Sequence, residues 1–142
     1  MKISRSVATT ASPDAVYAYL SDFTTTNEWD PGTVETTRAS GDGGVGTTYD
    51  NVSEFNGRRT ELTYEVVDLD PGRRIELHGE GKSATAVDVM EIEPTEHGCR
   101  VTYTADIRLK GVLRLAEPFI RGAFTKLGDE AEVGLRDALE KL

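Results

Sequence analysis

Asp88 and four other polar residues are the groups of this chain best suited to proton chemistry. Over residues 83–93, Ala84, Ala86, Asp88, Met90 and Ile92 alternate onto one face. Met90 and Ile92 mark that face as the one turned inward. A carboxyl held among apolar groups has its pKa raised, so it serves as an acid or base or binds a ligand hydroxyl. A β-bulge would reverse the strand, put Val87 and Val89 inside and leave Asp88 in water, because a slip of one residue exchanges the two faces. The sequence admits both arrangements, with the balance slightly toward the reversed one. Tyr103 is the second catalytic candidate. Tyr49, Tyr64 and Arg5 complete a set that would orient a ligand oxygen or move a proton.

Other chemistries are poorly served. His78 shares a face with Arg74 and Glu76, and His97 lies in a turn before Gly98, which makes neither a metal site nor a triad. Cys99 is the single cysteine, so the sequence has no internal disulfide or cysteine-based metal site, and the residue reads as a small packed side chain. There is no H-E-x-x-H, G-x-S-x-G or phosphate-loop G-K-[ST]. Gly41-Asp42-Gly43-Gly44-Val45-Gly46 fits G-x-G-x-x-G, but it runs into Thr47-Thr48-Tyr49, a strand, where a dinucleotide site needs a helix N-terminus. It reads as a hairpin loop, and its functional role would be to gate a cavity mouth. No metal and no cofactor are expected.

The elements that must position these residues follow from periodicity and turn signals. Residues 2–10 alternate as a strand, with Ile3, Arg5, Val7 and Thr9 on one face. Ser12 as N-cap, Pro13 at the first position and Asp14 in the first turn start a helix. A second short helix or turn ends at Pro31-Gly32. Strands are predicted at 33–40, 46–55, 58–69, 73–79, 83–93 and 99–109. They are separated by Asn56-Gly57, Asp70-Pro71-Gly72, Gly79-Glu80-Gly81 and the turn from Pro94 to Gly98. Asn-Gly between two strands is a strong hairpin signal, and consecutive hairpins without helices mean an antiparallel sheet. From about Val112 the chain is helical. Ile120, Phe124, Leu127, Ala131, Leu135, Ala138 and Leu142 form its apolar stripe, and Pro118 starts or kinks it. Gly122, Gly128 and Gly134 weaken this helix unless another surface approaches closely there.

At 142 residues the chain is expected to form one domain spanning 1–142. A net charge of −9 argues against nucleic acid and against stable association with anionic membrane. Arg58-Arg59 and Arg73-Arg74 flank hairpins as solvated ends. The opening MKISRSV lacks the apolar core of a signal peptide, so a cytoplasmic protein, monomer or homodimer, is expected.

Several segments together carry a family resemblance. They are Ser12-Pro13-Asp14-Ala15-Val16-Tyr17, Glu28-Trp29-Asp30-Pro31, Val45-Gly46-Thr47-Thr48-Tyr49, Leu69-Asp70-Pro71-Gly72-Arg73-Arg74-Ile75, Gly98-Cys99-Arg100-Val101-Thr102-Tyr103 and Lys110-Gly111. In this order and spacing the chain resembles the START-like superfamily, also called SRPBCC or birch-pollen-allergen-like, and within it the polyketide cyclase/dehydrase and lipid-transport group. The resemblance implies an α+β helix-grip fold. In it a curved antiparallel sheet of about seven strands wraps around a long C-terminal helix, with two short helices after the first strand. It also implies a cavity for a hydrophobic or amphipathic small molecule such as a lipid, isoprenoid, quinone or polyketide.

Alternation then nominates the walls of such a cavity. Tyr49, Asn51 and Phe55 share a face with Ser53, Leu62 shares one with Tyr64, and Ile75 with Leu77. Asp88, Met90 and Tyr103 follow on later strands, with Trp29 at one end and Phe119, Ile120, Ala123 and Leu127 on the helix. Three functions compete on this frame: a binding or transport protein for a hydrophobic molecule, an aromatase/cyclase-type enzyme without metal or covalent nucleophile, and an interaction module resembling chaperone co-activators. Fold alone does not choose among them.

Overall fold

The sharpest turn of the sheet is made by Asn56 and Gly57, whose φ angles are +51° and +79°. Both lie in the left-handed region that a two-residue hairpin requires, and asparagine and glycine reach it at least cost. The computed structural model describes residues 1–142. Its strands are β1 (Lys2–Thr9), β2 (Thr33–Ser40), β3 (Thr48–Phe55), β4 (Arg58–Asp70), β5 (Arg74–Glu80), β6 (Ala84–Pro94) and β7 (Cys99–Leu109). The helices are α1 (Pro13–Leu20), α2 (Thr26–Trp29) and α3 (Glu117–Glu140), with 3-10 turns at Phe23–Thr25 and Gly111–Ala116. The Ser12 hydroxyl caps α1 by accepting from the Ala15 N–H at 3.1 Å.

The strands form one antiparallel sheet in the order β1-β7-β6-β5-β4-β3-β2. This is the helix-grip architecture, with the sheet curved around α3. Register shifts occur between β2 and β3 and, near Val66 and Asp68, between β4 and β5. β6 is in unbroken register with both neighbours: Asp88 stands opposite Leu77 on β5 and Ala105 on β7. The strand is therefore not reversed. Ala84, Ala86, Asp88, Met90 and Ile92 are all buried, and Val87 and Val89 lie on the outer face.

α3 buries Phe124, Gly128, Ala131, Leu135 and Leu139. Two of its glycines are contact points. A methyl group at Gly128 would lie 2.9 Å from Ile3 Cδ1 and 3.1 Å from Arg5 Nη2, and at Gly134 it would lie 2.1 Å from the Trp29 carbonyl oxygen. Gly122 faces open space. Two residues depart from expectation, Phe119 as a nominated cavity wall and Leu142 as a member of the apolar stripe. Phe119 is 87% exposed because it sits about 140° around the helix from Phe124, at roughly 100° per residue. Leu142 lies beyond the helix end, and Leu139 takes the inward place.

Substitutions at the two kinds of helical glycine should therefore have opposite effects. Gly122→Ala is expected to stabilise by roughly 0.5–1 kcal/mol, the usual helical gain. Gly134→Ala, meeting backbone, is expected to destabilise by about 1–3 kcal/mol in urea unfolding.

Candidate ligand cavity

Alternation along five strands aims one set of side chains at the underside of α3, and they do not fill the space. A cavity of about 120 Å³ remains. Ile3 of β1, Phe55 of β3, Leu62 of β4, and Ala105 and Ile107 of β7 supply apolar walls. Ile120, Phe124 and Leu127 roof it from the N-terminal half of α3, with Ala131 just past the middle of the helix. Phe55 and Phe124 meet edge to face with centroids 5.9 Å apart.

One end of this space is polar. The Tyr103 hydroxyl donates to Asp88 Oδ2 at 2.8 Å, and both residues line the cavity with Tyr64. Asp88 is 4% exposed. Burial pushes its carboxyl up to about 7. The Tyr103 hydrogen bond opposes that shift, and the charge of Asp30 adds to it. Burial also holds the Tyr64 and Tyr103 phenols well above 10, with the Asp88 charge reinforcing it, so both remain O–H donors. No hydrogen bond within the protein reaches Asp88 Oδ1 or the Tyr64 hydroxyl, whereas the side-chain atoms both fully buried and without a partner are Thr25 Oγ1 and Trp29 Nε1. Asp30 keeps a small exposed edge although protein surrounds its carboxyl. Burial raises it against hydrogen bonds from the Gly32 N–H at 3.0 Å and the Thr33 hydroxyl at 3.1 Å. Asn51 reaches the wall already paired, donating to Thr36 Oγ1 at 2.8 Å and accepting from Ser53 at 2.7 Å.

Asn51, Phe55, Leu62, Tyr64, Asp88, Tyr103, Ile120 and Leu127 thus come together around one space. Tyr49, Ile75, Leu77 and Met90 do not. They are buried in the core outside the lining, Ile75 and Met90 one sheet row deeper than Asp88, on the side where α1 packs on β6. Trp29 stands behind the wall, its ring edge-on to Tyr103 with centroids 5.3 Å apart. Phe119 points into solvent, and Ala123 is half-buried outside the lining. Arg5 is diverted from the cavity by Asp129 of α3, 2.9 Å from its Nη2. The glycine loop 41–46 lies at the far end of β3 from Phe55 and contributes nothing to the lining, so it does not gate this space. Asp30 and Phe23 are wall residues that alternation misses because they sit in turns. The Trp29-Asp30-Pro31 segment was the available signal. No group of three His, Cys, Asp or Glu side chains is placed to hold a metal ion.

A family model described as polyketide cyclase/dehydrase and lipid transport matches residues 1–141. The chain belongs to this family. A comparison with curated proteins finds no match. Among solved structures, Zhui aromatase/cyclase from Streptomyces sp. R1128 superposes with a TM-score of 0.81 at 13% identity, covering 98% of this chain and 93% of that one. A START superfamily protein from Mycobacterium smegmatis gives 0.80 at 14% identity, covering 99% and 97%. TTHA0849 from Thermus thermophilus gives 0.79 at 17% identity, covering 98% and 95%. At these identities the likeness is one of fold. The description of the family to which the chain belongs joins polyketide cyclase/dehydrase chemistry with lipid transport. No helix is long and apolar enough to cross a membrane.

The Asp88 environment makes stability depend on pH with a definite sign. Its pKa is raised from 3.8 to about 7 in the fold, so its neutral form is the one the fold favours. The stability it contributes is complete below the unfolded value and is lost as pH rises through about 7. Asp88→Asn should abolish that loss. Relative to wild type, the variant should gain roughly 2–4 kcal/mol between about pH 4 and pH 8 in urea unfolding, at ~1.4 kcal/mol per pKa unit. A difference that stays constant with pH would contradict the buried placement.

Proposed function

We propose that the protein binds a hydrophobic or amphipathic small molecule bearing an oxygen function, with the apolar part under α3 and the oxygen at the Asp88–Tyr103–Tyr64 end. One observation carries this reading: an apolar cavity is lined at one end by a carboxyl oxygen and a phenol that no hydrogen bond within the protein reaches. Buried polar groups are ordinarily hydrogen-bonded, so these two are matched to a ligand hydroxyl or carbonyl, or to water that a ligand displaces. The family description, which joins cyclase/dehydrase activity with lipid transport, supports the same reading. The space of about 120 Å³ suits a compact ligand. A longer chain or a larger ring system enters as the Phe55–Phe124 pair parts and the groove beyond it opens to the cavity. In this proposal the whole chain acts as one domain, a monomer or homodimer in the cytoplasm, and needs no cofactor.

A second reading, an aromatase/cyclase-type enzyme, is favoured by Asp88 itself. A carboxyl titrating near 7 can take a proton from a carbon beside a carbonyl, while the Tyr64 O–H donates to the enolate oxygen. The enolate then closes a carbon–carbon bond on a second carbonyl of the same folded chain. The proton held on Asp88 returns to the new alkoxide, and loss of water follows. Positioning within the cavity would supply much of the acceleration.

Titration with the neutral fluorescent probe N-phenylnaphthylamine tests the binding function. Saturable binding is expected, and Ala105→Leu, which fills the cavity, should weaken it by about tenfold while the urea transition stays cooperative. Tyr64→Phe should leave the probe unaffected but weaken a long-chain alcohol by about fivefold, the loss of one hydrogen bond. Absence of saturable binding, or Ala105→Leu binding as tightly as wild type, would overturn the proposal.

A further inference from the structure

Three large apolar side chains stand exposed where β7 gives way to the start of α3. Val112 is 82% exposed, Leu115 77% and Phe119 87%. Val112 and Leu115 are one 3-10 turn apart, and Phe119 follows one helical turn on, so the three form an outward stripe. Between them, Leu113, Ala116 and Ile120 face a groove that also holds Phe55 and Leu109. Phe55, Leu109 and Ile120 line the cavity as well, so the stripe borders the cavity mouth.

The charge around this stripe runs against that of the molecule. In a chain of net charge −9, residues 108–121 carry Arg108, Lys110, Arg114 and Arg121 against a single acid, Glu117. Arg58 and Arg59 line the same groove from the β3–β4 hairpin. Arg108 is paired with Asp106 and Lys110 with Glu80. Arg58, Arg59, Arg114 and Arg121 have no acidic partner in the protein. Bulky apolar side chains flanked by unpaired cations, on a segment too short and too charged to span a bilayer, have the composition of an interfacial anchor.

We propose that this stripe docks the protein, reversibly and mouth first, on an anionic lipid surface. The four unpaired arginines meet lipid phosphates, and Val112, Leu115 and Phe119 enter the acyl boundary. The acidic remainder of the molecule is repelled and so fixes the orientation. Docking also sets the groove formed by Phe55, Leu109 and Ile120 against lipid, so that an apolar molecule passes between bilayer and cavity without crossing water. That use of the surface rests on the proposed binding function; docking itself does not. The attachment is transient, because the net charge of −9 opposes a lasting one.

Sedimentation with sucrose-loaded vesicles of phosphatidylcholine, with and without one third phosphatidylglycerol, tests it. Partitioning to anionic vesicles should exceed that to neutral ones by about tenfold and fall as salt is raised. Leu115→Ser/Phe119→Ser and Arg114→Glu/Arg121→Glu should each lower it by about tenfold. Both variants should keep wild-type affinity for N-phenylnaphthylamine, so failure of docking and failure of the cavity reading are distinguishable. Equal partitioning to both vesicle types would overturn the proposal. So would undiminished binding by the serine variant, or wild-type dimers in sedimentation that the serine variant dissolves, which would give the stripe to a second copy of the chain.

Discussion

The fit of α3 against β1 and α2 is the constraint from which the rest of the structure follows. At Gly134 there is no space for even a methyl group against the Trp29 carbonyl, and at Gly128 the helix rests on Ile3 and Arg5. These contacts, with Leu135 and Leu139 buried beyond them, hold the C-terminal half of the helix down on the core. The N-terminal half is not held so closely, and the cavity lies beneath it. A helix with larger residues at 128 and 134 would ride higher, and the space would no longer be confined to one end.

That geometry also sets the chemistry. Filling the deep end with Met90, Ile75 and the side chains of α1 leaves Asp88 as the last inward position on β6 before the open space. The carboxyl is removed from water on one side and meets the cavity on the other. Its only internal hydrogen bond comes from Tyr103, which Trp29 supports from behind. One bond to a carboxyl is too little to restore ordinary acidity against full burial, so the group rests near neutrality. The same arrangement suits a binding site for an oxygenated apolar molecule and a site for acid–base catalysis. The two differ in what the ligand does after it is seated.

Much of this was legible in the sequence. Asn56-Gly57, Asp70-Pro71-Gly72 and the alternation of apolar residues define the hairpins, because turn chemistry and a period of two are local properties. The face of Asp88 was not legible, since it depends on whether a bulge interrupts β6. The register shifts fall instead in β2–β3 and β4–β5, and no residue type in β6 announces an unbroken ladder. The division of inward residues into cavity wall and core was also hidden. Leu62 and Leu77 are equally apolar, and only the packing of sequence-distant elements around each decides which one meets open space. Phe119 was misplaced because apolarity was read as burial, one residue out of phase with the stripe through Ile120 and Phe124.

Carbon-13 NMR titration of the aspartate carboxyls tests the central claim most directly. The account predicts one carboxyl titrating near 7 and absent from Asp88→Asn, with the midpoint rising further when an apolar ligand excludes water from the cavity. An Asp88 resonance that titrates near 4, in the ordinary range for aspartate, would place the side chain in water and contradict the account.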